Sequence, residues 1–126
     1  MTLQDRCVDM GIELTPNQAL DIWCGAAVDG VRRDAPDLSA RQMALLLLVY
    51  MTEGPHTVRG LAEGLNISKP AVTRAIDRLS TLDMVRRKSD ENDRRSVLVQ
   101  RTVKGSIFLR EYSEIIATAA KNSTVQ

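Results

Sequence analysis

Along most of the chain, apolar residues recur with the spacing of helices; near residue 83 the spacing becomes that of strands, and near residue 103 it returns. Thr15-Pro16 places a capping hydroxyl before a proline at the first helical position, which predicts a helix from Asn17 to about Arg33 with Ala19, Ile22, Trp23, Ala26 and Ala27 along one stripe. Residues 1–14 offer neither a clear cap nor a sustained period and are left open between a short helix and an arm. After a loop at Pro36, Ser39 caps a helix through "ARQMALLLLVYMTE" that stops before Gly54-Pro55. It is apolar nearly all round, so it is expected to be the buried central helix. Thr57 caps a short helix, "VRGLAEGL", Asn66-Ile67 turns the chain, and Ser68 caps the next helix. There Pro70 lies in the first turn, where proline is tolerated, and Val72, Ala75, Ile76 and Leu79 follow i, i+3, i+4, i+7 spacing. Lys69, Thr73, Arg74, Asp77 and Arg78 fall on the other faces.

Beyond Leu82-Asp83, "MVRRKS" and "SVLVQR" flank the polar turn "DENDRR" and predict a β-hairpin. Leu98 breaks strict alternation, so both strand faces are expected to meet protein near its base. Thr102 caps a final helix from Val103 to about Ala120, whose wide apolar stripe of Ile107, Phe108, Tyr112, Ile115, Ile116 and Ala119 is too broad for a monomer surface. The fold class that follows is mainly α (α+β): a helix-turn-helix followed by a two-stranded β wing, with helices on either side.

With 126 residues, 44% apolar and 26% charged, the chain fits one soluble domain, and its four aromatic residues require an aliphatic core. The longest apolar run, residues 43–51, is far short of the roughly 20 residues of a spanning helix, and no leader-like pattern opens the sequence. No membrane partner and a cytoplasmic location are therefore expected. Two cysteines, Cys7 and Cys24, with the single histidine His56, cannot supply a disulfide framework or a four-ligand zinc site, so neither a metal nor a cofactor is expected. The net charge of +1 conceals a division: residues 69–104 carry ten basic against five acidic residues, net +5, and the rest of the chain carries net −4. If they converge on one face, those charges form a footprint for a polyanion; otherwise they are solvated faces of a helix and a hairpin.

Residues 61–105, "LAEGLNISKPAVTRAIDRLSTLDMVRRKSDENDRRSVLVQRTVKG", resemble the MarR family of bacterial winged-helix regulators, with its D-x-R wing signature at Asp93-Arg94-Arg95 and its threonine-led turn into the next helix at Thr102. The resemblance implies a homodimeric, sequence-specific DNA-binding transcription regulator, a repressor, on a pseudo-palindromic operator. It implies that helix 68–81 enters the major groove through Ser68, Lys69, Thr73 and Arg74. The wing, 84–101, would meet the minor groove with Arg95 at its tip, braced by a salt bridge to Asp93, and with Arg94 on phosphate. Arg78, Arg86, Arg87 and Lys88 are further phosphate candidates, which add affinity without sequence information. Over the whole chain it implies one MarR-like domain, 1–126, with the winged helix-turn-helix at 39–102. The helices at 15–35 and 103–120 would pair two copies through Ile22, Ile107, Phe108, Tyr112, Ile115 and Ile116. A small-molecule effector is a further implied partner, of unknown identity. The family commonly carries glycine where this chain has Asp83, and aspartate tolerates the left-handed conformation that such a turn demands.

Blander readings accompany several of these residues. Ser68 is also an N-cap, and the two roles are compatible. Cys24 reads as a small buried hydrophobe and Cys7 as an incidental thiol rather than as oxidant sensors. His56 reads as a loop residue. Trp23, Met43 and Tyr50 read as core packing before they read as the border of an effector pocket. No paired acid and base, Gly-rich phosphate loop or nucleophile set appears, so an enzyme is not expected. The rival reading is a winged helix used as a protein-binding module or as an antagonist of another regulator, against which stand the basic residues on both helix and hairpin.

Overall fold

The computed structural model describes residues 12–123; Cys7 and residues 1–11 of the N-terminal arm lie outside them. Among the described residues, five helices and three strands follow in the order α1 (Pro16–Arg32), α2 (Ala40–Met51), β1 (His56–Thr57), α3 (Val58–Leu65), α4 (Lys69–Thr81), β2 (Val85–Ser89), β3 (Val97–Arg101) and α5 (Val103–Lys121). Each helix starts at a capping hydroxyl anticipated from the sequence. Thr15 with Gln18 and Ser39 with Gln42 form reciprocal capping boxes, Thr57 and Ser68 accept from the backbone N–H three residues on, and Thr102 Oγ1 accepts from Gly105 N at 2.9 Å.

The helices of the helix-turn-helix, α3 and α4, end alike. Asn66 (φ 54°) and Asp83 (φ 58°) take the left-handed conformation, and the next N–H reaches back five residues, Ile67 to Ala62 O at 3.1 Å and Met84 to Leu79 O at 2.8 Å. These are Schellman endings, which satisfy helix carbonyls while turning the chain sharply. Asp83 thus performs the turn expected of it.

The chain divides into two compact units: Pro36–Leu109, and the chain up to Ala35 together with the part from Arg110 onward. In the first, α3 and α4 pack on α2 and on a three-stranded antiparallel sheet of order β1-β3-β2. Val85 pairs with Arg101, Arg87 with Val99 and Ser89 with Val97, while His56-Thr57 pairs with Val99-Leu98 on the other side of β3. The strand at His56-Thr57 was not expected; a two-residue pairing leaves no periodic signal, and His56 belongs to it rather than to a loop. It makes β3 the central strand, which accounts for Leu98 meeting protein despite breaking the alternation.

The core of this unit is aliphatic, as composition required: Leu45, Leu46, Val49, Leu61, Val72, Ile76, Leu79, Met84, Val85 and Val99 are almost fully buried. Phe108, at 7% exposure, joins them. The central helix is buried on one face only, since Leu47 and Met51 remain 37% and 48% exposed. Tyr50 is tied in rather than lining an opening: its hydroxyl lies 2.7 Å from Met84 O and accepts from Thr102 N at 2.8 Å. Those partners stand just before β2 and just after β3, so one side chain on α2 holds both ends of the hairpin.

The other unit contains α1 and the C-terminal part of α5. Among its described residues, Ala26 is the one apolar residue that is buried. Two expectations fail here: Trp23 is 75% exposed and Cys24 is exposed, not core. The stripe is rotated from the one expected. Leu20, Trp23, Ala27 and Val31 fall on one line at i, i+3, i+7, i+11, and Leu20 and Val31 are 68% and 71% exposed.

Candidate nucleic-acid interface

On α4, Ala71, Val72, Ala75, Ile76 and Leu79 are buried, which turns Lys69, Thr73, Arg74, Asp77 and Arg78 outward, as the periodicity requires. Ser68 stands exposed at the N-terminal end, its Oγ accepting from Ala71 N at 3.2 Å, so its cap role is present and its hydroxyl hydrogen is not consumed by it. The outward face is therefore short polar side chains and cations at the end of the helix where N–H groups are unpaired and the dipole favours anions.

The turn after β2 explains why acidic residues surround two arginines. Asp90 Oδ1 accepts from Asn92 N at 2.9 Å, Asp93 Oδ1 from Arg95 N at 3.0 Å, and Asp93 Oδ2 from Ser96 Oγ at 3.1 Å. Aspartate side chains form such local turns readily, because they reach the N–H two residues on. The carboxylates are thereby spent on backbone and hydroxyl, and Arg94 and Arg95 are left exposed at the tip. The side-chain salt bridge expected between Asp93 and Arg95 is not among the ion pairs of the described residues; Asp93 holds the backbone of Arg95 instead. Its bracing is real but acts on the chain, not on the guanidinium.

Not every cation of the basic stretch faces outward to a ligand. Arg101 donates from Nε to Val49 O at 2.8 Å and from Nη2 to Thr52 O at 3.1 Å, and lies over the Tyr50 ring at 5.8 Å. It closes the carbonyl end of α2, where a cation is favoured by the helix dipole. Arg87 pairs with Asp77 and reaches Thr73 O at 3.4 Å. Arg86, Lys88, Arg94 and Arg95 are the other exposed cations of the hairpin and Lys69, Arg74 and Arg78 those of α4, while Arg41, Arg59 and Lys104 are exposed elsewhere in this unit. Of the six residues expected to pair two copies, Phe108 is buried, Ile22, Tyr112 and Ile115 are half-buried, and Ile107 and Ile116 are 51% and 44% exposed. Leu20 and Val31, which are not among those six, are more exposed than any of them. Among the described residues, no group of acids, histidines and cysteines is placed to hold a metal, and no helix is long and apolar enough to cross a membrane.

A helix-turn-helix followed at once by an antiparallel hairpin is a winged helix. Residues 37–96 match the model of the MarR family, whose members are transcription regulators. Solved structures agree in fold. A point mutant of MepR from S. aureus, bound to an oligodeoxyribonucleotide, is 17% identical at a TM-score of 0.72, over 90% of this chain and 86% of that one. A MarR transcriptional regulator from Methanosarcina mazei is 27% identical at 0.61, over 80% and 68%. The regulator Tm0710 from Thermotoga maritima is 21% identical at 0.64, over 94% and 72%. No curated protein matches the chain.

Proposed function

We propose that the protein is a DNA-binding transcription regulator that acts in the cytoplasm as a homodimeric repressor on a pseudo-palindromic operator. The observation that carries the reading is that one compact unit presents the polar face of α4 and the arginine-tipped hairpin together, both cationic. A helix about 10–12 Å across fits a major groove about 12 Å wide, and its N-terminal residues meet base edges. Thr73 and Arg74 then read bases, Ser68 and Lys69 approach the backbone, Arg95 enters the minor groove, and Arg78, Arg86, Lys88 and Arg94 neutralise phosphate. Binding of a DNA oligomer by the MepR mutant supports this assignment.

The homodimer is supported by the other unit. With Ala26 as its one buried apolar residue among those described, and Leu20, Trp23, Val31 and Ile116 exposed, α1 and the end of α5 present more apolar surface than a monomer usually keeps. A second copy covers it, and twofold symmetry then places two copies of α4 on half-sites about one helical turn apart. A small-molecule effector would act by changing the spacing of those two helices.

The test is a titration of the protein with duplex from the region upstream of its own coding sequence and with a shuffled duplex, at two salt concentrations. Preference for the native duplex that persists at the higher salt is expected, and Arg74→Ala should erode that preference about tenfold, within the range of one base contact. Equal binding to both duplexes would make it a nonspecific architectural protein; binding to neither would turn the winged helix into a protein-binding module.

A further inference from the structure

Arg87 lies in the middle of a run of three cations, Arg86-Arg87-Lys88, that reads in sequence as three equivalent phosphate contacts. The fold makes them unequal. Side chains on a strand alternate between faces, so Arg87 shares its face with Val85, two residues before, while Arg86 and Lys88 take the opposite face. Val85 is 2% exposed, and Val99, directly opposite Arg87 across the ladder, is 3% exposed. Arg87 thus follows Val85 in the row that faces the protein's own interior, with the exposed Ser89 beyond it. Its side chain is 37% exposed, and its Nη2 donates to Asp77 Oδ1 and towards Thr73 O at 3.4 Å. Both acceptors belong to α4, one turn apart, and flank Arg74 in sequence.

We propose that Arg87 is a positioning residue, a strut from β2 to the outward face of α4 anchored on Asp77, which fixes the wing relative to the reading helix and makes no phosphate contact of its own. The proposal rests on the DNA reading above. Salt dependence counts the phosphates a protein neutralises, and a guanidinium already paired with a carboxylate adds no net charge to that count. What the pair supplies is angle: α4 and the hairpin tip must reach adjacent grooves at once, and a wing that swings loses native sites more than nonspecific ones. Arg87 also ties down the carbonyl of Thr73, which steadies a residue assigned to base reading. Because the pair is largely exposed, the effect is modest, about two- to fivefold in the ratio of native to shuffled binding.

Three variants test it: Arg87→Gln, Asp77→Asn, and both together, the last with the net charge of the unaltered protein. Each is titrated with native and shuffled duplex over a salt series, and backbone 15N relaxation of residues 90–96 is measured without DNA. Each single variant should lower the ratio two- to fivefold, the double no further than the worse single, and the double should keep the original salt slope. Hairpin motion should rise in all three. The strut is overturned if Arg87→Gln weakens both duplexes alike, the double variant's slope is shallower by about one, and Asp77→Asn tightens both duplexes without changing the ratio. If the unaltered protein binds neither duplex, the DNA reading fails by itself. The relaxation data then still decide the strut, since unchanged hairpin motion in every variant overturns it.

Discussion

Replacing Tyr50 with phenylalanine removes one oxygen and should loosen the whole hairpin. The hydroxyl lies 2.7 Å from Met84 O and accepts from Thr102 N at 2.8 Å. A made hydrogen bond is worth about 0.5–1.5 kcal/mol net, and a buried partner left without one costs about 1–3 kcal/mol. Tyr50 is half-buried, so water recovers part of that loss, and a destabilisation of about 2 kcal/mol is expected. For a chain of this size each kcal/mol shifts the melting midpoint by about 4 °C, which gives a fall of about 8 °C. Urea unfolding followed by circular dichroism measures it, at one fixed protein concentration because self-association raises apparent stability. The denaturant slope should be unchanged, since the ring still fills its place and the folded surface is the same. A loss below about 0.5 kcal/mol, where a single weak bond would fall, would mean that Tyr50 does not hold the hairpin and that the β-ladder and core suffice.

Three further outcomes follow from local geometry. Asp83→Gly should raise stability by up to about 1 kcal/mol in the same assay, because Asp83 sits at φ 58° and glycine removes the steric cost of that conformation; a loss would show that its side chain has a role beyond the turn. Arg101→Ala should cost about 1–3 kcal/mol through two lost bonds to the end of α2, yet leave the salt slope of DNA binding unchanged, whereas a slope shallower by about one would add it to the DNA contacts. Leu20→Ser with Trp23→Ser should shift the protein from dimer to monomer in light scattering, and an unchanged mass would remove that stripe from the interface.

Much of the local structure follows from the sequence alone. Capping hydroxyls at Thr15, Ser39, Thr57, Ser68 and Thr102 set the helix starts of the described residues, because a cap is an interaction between residues three apart and needs no distant partner. The i, i+3, i+4, i+7 pattern from Val72 to Leu79 likewise settled which face of α4 is buried, and so which residues point outward. The D-x-R turn was placed by its resemblance alone, and its expected side-chain salt bridge gives way to a bond from Arg95 N to Asp93 Oδ1.

What the sequence left undecided are pairings between residues far apart. Arg86, Arg87, Lys88 and Arg101 are equivalent as charges, and only the pleat of β2, the packing of α4 beside it and the end of α2 separate a strut and a helix closure from outward-facing cations. Strand β1 exists because β3 offers it an edge, not because of its two residues. Trp23 reads as core from its large apolar ring, yet it is 75% exposed; burial is a property of what surrounds a residue, and the described residues of its unit do not enclose it.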